Sequence, residues 1–283
     1  MKIIKLNNGN EIPAIGFGVF MIPNNGETKK AVTEALKAGY RHIDTAAAYF
    51  NEAEVGEAVR ESGIPREDIV VTSKLWIQDY GYEAAKKGIE TSLKNLNIDY
   101  IDLYLLHQPY GDTAGAWKAL EEAYRQGVLK NIGVSNHTVE RLQKLLPQME
   151  IMPQVNQVEF NVYYQEKKLR DYLKPYDIKL EAYFPFGHGD KRMMSDPVIT
   201  DIANKHGKSV QQTMLRFYLQ EQVVSLPKST SPRHIQDNIH VFDFELSENE
   251  MEAMRRLDTD KCSYDPNDDS NGEMLLRNYK VHD

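Results

Sequence analysis

The chain has 283 residues, 41% of them hydrophobic and 27% charged, with a formal net charge of −8. A surface this acidic repels phosphate backbones, so nucleic acid is not expected as a partner. The single cysteine, Cys262, leaves no intrachain disulfide and fits a reducing compartment, and no run approaches the roughly 20 apolar residues of a membrane span.

In chain order, KIIKL, the turn Asn-Asn-Gly-Asn and EIPAIGFG predict an N-terminal β-hairpin. MKIIKLNNGNEIP has no apolar run long enough for a signal peptide, so a cytoplasmic protein is expected. Buried strands follow from IGFGV (15–19), RHIDTA (41–46), IVVTSKL (69–75), YIDLYLLH (100–107), LKNIGVSN (129–136), PQVNQVEF (153–160), IKLEAYF (178–184) and VVSLPK (223–228). Helical patterns lie between them. Ala31, Val32, Ala35 and Leu36 share one face of 27–38, with Gly39 placed to cap it. Further helices are predicted at 52–62, 82–96, 114–126, 138–146, 165–174, 196–206, 209–219 and 247–257. Eight strands alternating with helices imply parallel pairing, and a closed (β/α)₈ TIM barrel fits better than an open sheet. An open dinucleotide-binding sheet would carry G-x-G-x-x-G after its first strand, and no such run occurs. One domain spanning 1–283 is expected, with a short polar tail after Leu257.

Barrel active sites are built at the C-terminal ends of the strands. Three consecutive strand ends place polar residues there: Asp44 with Tyr49 in the loop after it, then Lys74, then His107. Each alone has a bland reading, as a turn cap, a solvated lysine, a structural histidine or one of 16 tyrosines. Together they form a chemical unit. A free tyrosine, with a pKa of about 10, is a poor proton shuttle at neutral pH. An adjacent ammonium is expected to lower that pKa, a carboxylate to hold the ammonium, and a neutral histidine to orient a carbonyl oxygen. The unit can protonate a carbonyl that receives a hydride but contains no hydride source, so a cofactor is required.

Six segments then resemble the aldo-keto reductase superfamily, in register over nearly the whole chain. They are GYRHIDTAAAYFNEAEVGEAV, IVVTSKLW, YIDLYLLHQP, IGVSNH, NQVEFN and LPKS. The resemblance extends to bacterial diketogluconate reductases and general aldehyde reductases. It implies the (β/α)₈ barrel, NADP(H), Tyr49 as general acid, Lys74 and Asp44 as its tuning pair, and His107 as the substrate-positioning residue. By the same resemblance, Ser135, Asn136 and Gln157 hold the nicotinamide carboxamide and Tyr183 stacks on its ring. FPFGHGD passes over the pyrophosphate, Lys228 and Ser229 meet the 2′-phosphate, and Asp237 and Asn238 lie near the adenine. Two departures stand out. Phe184 and Phe186 replace a common serine and leucine, leaving backbone N–H groups of Gly187 to Gly189 to face the phosphates. His234, preceded by Arg233, stands where many relatives place an arginine. A neutral imidazole grips a phosphate less well than a guanidinium fork, so NAD(H) is expected as a second cofactor.

Phe20, Phe50, Trp76 and Tyr110, with Tyr49, are expected to form an aromatic pocket rim. The short tail implies an open pocket for small aldehydes, dicarbonyls or keto sugars, and a monomer is expected. Two other readings stand beside this one. One is a cofactor-binding regulatory subunit. The other is a barrel isomerase or aldolase with Lys74 as a Schiff-base lysine. No metal is expected, because no H-E-x-x-H or C-x-x-C spacing occurs.

Overall fold

The hairpin forms as the sequence predicts: β1 (Ile3–Lys5) and β2 (Glu11–Pro13) pair antiparallel, with Ile4 opposite Ile12. Both isoleucines are buried, and Gly9 takes the left-handed conformation (φ 90°) that the turn requires. The turn asparagines face the rest of the protein. Asn8 and Asn10 donate to Asn131 Oδ1, and Gln154 Nε2 donates to Asn7 Oδ1. Those partners precede strands of the main sheet, so the hairpin covers the sheet's N-terminal end, opposite the rim near which Asp44, Lys74 and His107 stand. The architecture is that of a computed structural model describing residues 2–263 and 265–281.

Eight parallel strands follow: β3 (Phe17–Gly18), β4 (His42–Asp44), β5 (Val70–Leu75), β6 (Leu103–Leu106), β7 (Ile132–Ser135), β8 (Val155–Glu159), β9 (Lys179–Tyr183) and β10 (Val224–Ser225). Each pairs with its sequence neighbour, in the order β10-β9-β8-β7-β6-β5-β4-β3, giving a curled parallel sheet of the (β/α)₈ type. The two edges meet. Gly16 N donates to Ser225 O (2.9 Å), Ser225 N to Ala14 O (3.1 Å) and Gly18 N to Pro227 O (3.1 Å). A Cβ on Gly16 would stand 2.6 Å from Leu226 Cδ2 and 2.9 Å from the His42 ring, so only glycine permits this approach. The paired segments are shorter than the apolar runs. VVSLPK forms a two-residue strand, because Pro227 has no N–H to give.

The crossovers are α1 (Glu27–Ala38), α2 (Glu52–Glu61), α3 (Tyr82–Leu96), α4 (Thr113–Arg125), α5 (Val139–Leu145), α6 (Lys167–Leu173), α7 (Lys191–Met194), α8 (Pro197–His206) and α9 (Val210–Gln220). After β10 come α10 (Pro232–Ile239), α11 (Glu248–Arg255) and α12 (Ser270–Asn278). The predicted periodic faces are the buried ones. In α1 these are Ala31, Val32, Ala35 and Leu36, and Gly39 caps the helix at φ 104°. Ser209 and Ser247 close capping boxes with Gln212 and Glu250, which fixes where α9 and α11 start. The polar tail, from which no helix was predicted, forms α12 and packs back across the rim. Gly272 makes this possible, since a Cβ there would meet the Tyr110 ring at 2.8 Å. Among the described residues no helix is long and apolar enough to cross a membrane.

Candidate active site

Lys74 sits on β5 beside β4 and is wholly buried. Its ammonium has three hydrogens and three acceptors: Asp44 Oδ1 at 2.7 Å, the Thr45 carbonyl at 2.9 Å and the Tyr49 hydroxyl at 3.3 Å. Tyr49 reaches this point because a single 3-10 turn, Ala47–Tyr49, leaves β4 and folds back. His107 follows β6, and its ring meets the Tyr49 ring edge-on at 5.5 Å between centroids. Barrel order therefore does bring the four polar strand-end residues together.

Burial alone would lower the Lys74 pKa, but the Asp44 carboxylate and Tyr49 outweigh it, so the lysine is held charged above its ordinary value. A charged ammonium is no nucleophile, which argues against Schiff-base chemistry at this residue. Burial pushes the Tyr49 hydroxyl up, Lys74 pulls it down, and Asp44 pushes it up; the net shift is upward. This corrects the expectation of a lowered tyrosine pKa: the ammonium's pull is present, but burial exceeds it. Tyr49 is therefore a neutral phenol with its proton available. Burial and then Lys74 drive His107 well below its ordinary value, so its imidazole is neutral.

The second Asp44 oxygen accepts from Gln157 Nε2 at 2.8 Å, and the same nitrogen donates to Glu181 Oε2 at 2.7 Å. Glu181 is fully buried, with His42 Nε2 3.7 Å from its other oxygen. Sequence reasoning missed both Glu181 and His42. The available signal was a charged residue on the inward side of a buried strand.

Ser135 and Gln157 lie on the neighbouring strands β7 and β8, and Asn136 follows β7 in the left-handed region (φ 61°). That conformation is uncommon outside glycine and re-aims the side chain. Asn136 Nδ2 donates to the His107 carbonyl (3.1 Å) and to Ser135 Oγ (3.2 Å), while its Oδ1 accepts from the Tyr183 hydroxyl (2.6 Å). Ser135 Oγ thus accepts one bond and keeps its own hydrogen to give.

These groups open onto a cavity of about 430 Å³ lined by Phe20, Tyr49, Trp76, His107, Tyr183 and Phe184 among others, with Lys228 at its edge. Phe20 and Trp76 take the expected rim positions. Phe50 and Tyr110 do not belong to this lining. Phe50 ends the Tyr49 turn at φ 57° with its ring exposed, and Tyr110 is buried under α12. Leu275 and Tyr279 line the cavity instead, and Trp76 Nε1 donates to the Tyr279 carbonyl at 2.9 Å. The tail therefore narrows a pocket that was expected to be open.

Phe184 and Phe186 also line the cavity, and Phe184 (φ 51°) lies against His188 with 3.4 Å between ring centroids. Gly187 and Gly189 follow with positive φ. Beyond Lys228, Ser229 is half-buried, Arg233 and His234 are exposed on the first turns of α10, and Asn238 is buried. Arg233 leans on Asp237 at 3.6 Å, and none of these residues past Lys228 reaches the cavity lining. Ser231, at the start of α10, makes no side-chain cap, so that turn's N–H groups remain available to an anion. The amide and hydroxyl groups of Ser135, Asn136 and Gln157, the rings of Tyr183 and Phe184 and the Lys228 cation share one lining, a donor set that fits a nicotinamide dinucleotide. The cavity volume is ordinary for a ligand site.

Fold and rim chemistry define a class: α/β oxidoreductases that act on carbonyl groups. The sequence profile of the aldo/keto reductase family matches residues 14–259, and the chain belongs to that family. It is 47% identical to a glyoxal reductase of Bacillus subtilis, over 91% of this chain and 93% of that protein. It is 43% identical to a morphine 6-dehydrogenase of Pseudomonas putida, over 94% and 95%. Among solved structures, an aldo-keto reductase from a Medee basin deep-sea metagenome library superposes with TM-score 0.90 at 44% identity, covering 93% of this chain and 97% of that one. Another aldo-keto reductase, solved with NADPH, superposes with TM-score 0.88 at 30% identity, over 93% and 89%.

The buried histidines set an acid limit on stability. Burial lowers His42 and His137 to about 4 and His107 well below its ordinary value. The unfolded chain takes up these protons near pH 6.5, the folded chain only at lower pH, so the stability these histidines contribute falls as pH drops from about 6.5 toward 4. Glu166 and Glu181, raised by burial to about 7 and about 8, act in the opposite direction over the same range, so the histidine share is read by difference: from pH 7 to pH 5 the urea midpoint of wild type is expected to fall relative to that of His137→Gln, and an unchanged difference would contradict the assignment.

Proposed function

We propose that the chain is one closed (β/α)₈ barrel domain that reduces small aldehydes, dicarbonyls and keto sugars to alcohols with NADPH. The observation that carries this reading is the contact of Lys74 Nζ with both Asp44 (2.7 Å) and Tyr49 (3.3 Å) beside His107 at the cavity floor. The edge-to-edge hydrogen bonds of residues 14–18 with 225–227 support closure. The names of the relatives, one a glyoxal reductase, support a small dicarbonyl as substrate, and the NADPH-bound structure supports the cofactor.

Bound NADPH supplies the hydride that the carbonyl carbon receives. Tyr49 gives its proton to the carbonyl oxygen as charge develops there. Lys74 stabilises the phenolate left behind, and Asp44 keeps Lys74 charged and aimed. His107 Nδ1 is buried without a partner among the described residues. A bare lone pair there is more tolerable than an unpaired N–H, which leaves Nε2–H as the donor to the carbonyl oxygen. Ser135, Asn136 and Gln157 orient the nicotinamide amide, Tyr183 offers its ring face, and Lys228 takes the 2′-phosphate with Ser229, beside Arg233 and His234. Asp237 and Asn238 serve the adenine.

NADPH oxidation followed at 340 nm across aldehydes, dicarbonyls and keto acids tests this reading; turnover is expected, and inertness across the panel would remove it. With Lys228 exposed and an imidazole at His234, NADPH is expected to be preferred over NADH by well under about a thousandfold in kcat/KM. A larger ratio would show a stronger phosphate grip than these side chains supply.

A further inference from the structure

Beneath the proton-donating residues lies a second carboxyl group that the mechanism does not use. Glu181 on β9 is paired in register with Gln157 on β8, and both are buried in the sheet interior. The Gln157 amide has two hydrogens. One goes to Asp44 Oδ2 (2.8 Å) and the other to Glu181 Oε2 (2.7 Å). The amide is thereby clamped between two acids, and its carbonyl oxygen is turned away from both. Glu181 Oε1 has no hydrogen-bond partner among the described residues, and His42 Nε2, 3.7 Å away, is engaged with Thr72 Oγ1 at 2.8 Å. Two carboxyl groups thus share one buried cation, Lys74, through one amide.

We infer that Glu181 is a positioning residue: its neutral carboxyl group fixes the Gln157 amide and preserves the one-to-one charge balance of Asp44 and Lys74 on which Tyr49 depends. The inference deepens the reductase reading and rests on it for its kinetic consequences. Burial, then Asp44, raise Glu181 to about 8, with Gln157 and Lys74 opposing. The charged or titratable groups facing it are Asp44 and His42 on β4 and Lys74 on β5. Gln157 on β8 is neutral, and the β10 residues paired with β9, Val224 and Ser225, do not titrate in this range. With one negative and one positive charge the cluster is balanced. Ionisation of Glu181 adds a second negative charge, which strengthens the hold of Tyr49 on its proton and weakens it as an acid. Reduction therefore slows as pH rises past the Glu181 transition.

Stability follows in a form that needs no turnover. Folded Glu181 keeps its proton up to about pH 8, whereas the unfolded chain releases it near 4.5. Between those values the folded state holds the extra proton, so rising pH removes stability. A glutamine at this position has no such dependence.

The test uses Glu181→Gln and Glu181→Ala in the full-length protein. Glu181→Ala leaves one Gln157 hydrogen unmatched and is expected to weaken NADPH binding about tenfold, read by fluorescence titration. Glu181→Gln is expected to recover most of that loss. It should also move the alkaline decline of kcat/KM up by about half a pH unit or more. Its Tm should gain on wild type from pH 6 to pH 9, by about 2 °C or more at the alkaline end. Superimposable pH profiles with a pH-independent Tm difference would overturn the inference. If the protein does not reduce carbonyls, the reductase reading fails, while the Tm and NADPH-binding arms still decide whether Glu181 is a neutral clamp on Gln157.

Discussion

Replacing Tyr49 by phenylalanine is expected to lower kcat for carbonyl reduction about a hundredfold or more, the usual contribution of a positioned general acid. NADPH affinity should stay within about threefold, because the change removes one hydroxyl and keeps the ring. The ring makes the packing contacts, with Phe20 at 4.9 Å and His107 at 5.5 Å between centroids. The hydroxyl, the proposed donor to substrate, is the third acceptor of Lys74. Its loss leaves the Lys74 bonds to Asp44 and Thr45 in place, so stability should change by about 1 kcal/mol or less. Stopped-flow kinetics with a cofactor titration separates the two effects, and near-normal turnover would take Tyr49 out of the mechanism.

Lys74→Met is expected to remove activity and also to destabilise the fold by roughly 3–5 kcal/mol, the usual effect of breaking a buried ion pair from one side. Asp44, 4% exposed, would lose its cation and keep the Gln157 amide as its one remaining side-chain donor among the described residues. Methionine is close in length and apolar, so packing is largely kept and the loss is electrostatic. The double variant Asp44→Asn with Lys74→Met separates the two contributions. It removes the orphaned charge and should regain much of the stability, yet stay inactive because nothing stabilises the tyrosinate. Urea denaturation alongside the NADPH assay checks both. A fully stable Lys74→Met would show that the buried Asp44–Lys74 pair does not hold the fold together and would contradict this account.

The polar residues at the strand ends were legible because they break a pattern. Asp44, Lys74 and His107 each end an apolar run, and strand order makes consecutive strand ends neighbours. Glu181 was harder to read. It sits inside IKLEAYF, and its meaning comes from Gln157 and Asp44, which register and curvature bring to it. The tail failed for a related reason. In residues 270–278 the large apolar side chains, Met274, Leu275 and Leu276, are consecutive and offer no i, i+3, i+4 spacing, while Gly272 admits the Tyr110 ring and the following segment meets Trp76 and Gln78. Phe50 and Tyr110 were placed on the rim by proximity in sequence, whereas a positive φ and the arrival of α12 decide where their rings go. The direction of the Tyr49 pKa was misjudged because two opposing effects meet there, and only the depth of burial decides which is larger.

The cavity narrowed by Leu275 and Tyr279 is also lined by Tyr49 and His107, where the proposed reaction brings substrate and cofactor together. The most direct test of the account is to reduce a small dicarbonyl with NADPH deuterated at both C4 positions, in ordinary water, and locate the label in the product. One deuterium on the new carbinol carbon, with a solvent-exchangeable hydrogen on its oxygen, is the predicted result. A product without carbon-bound deuterium would contradict direct reduction at this site.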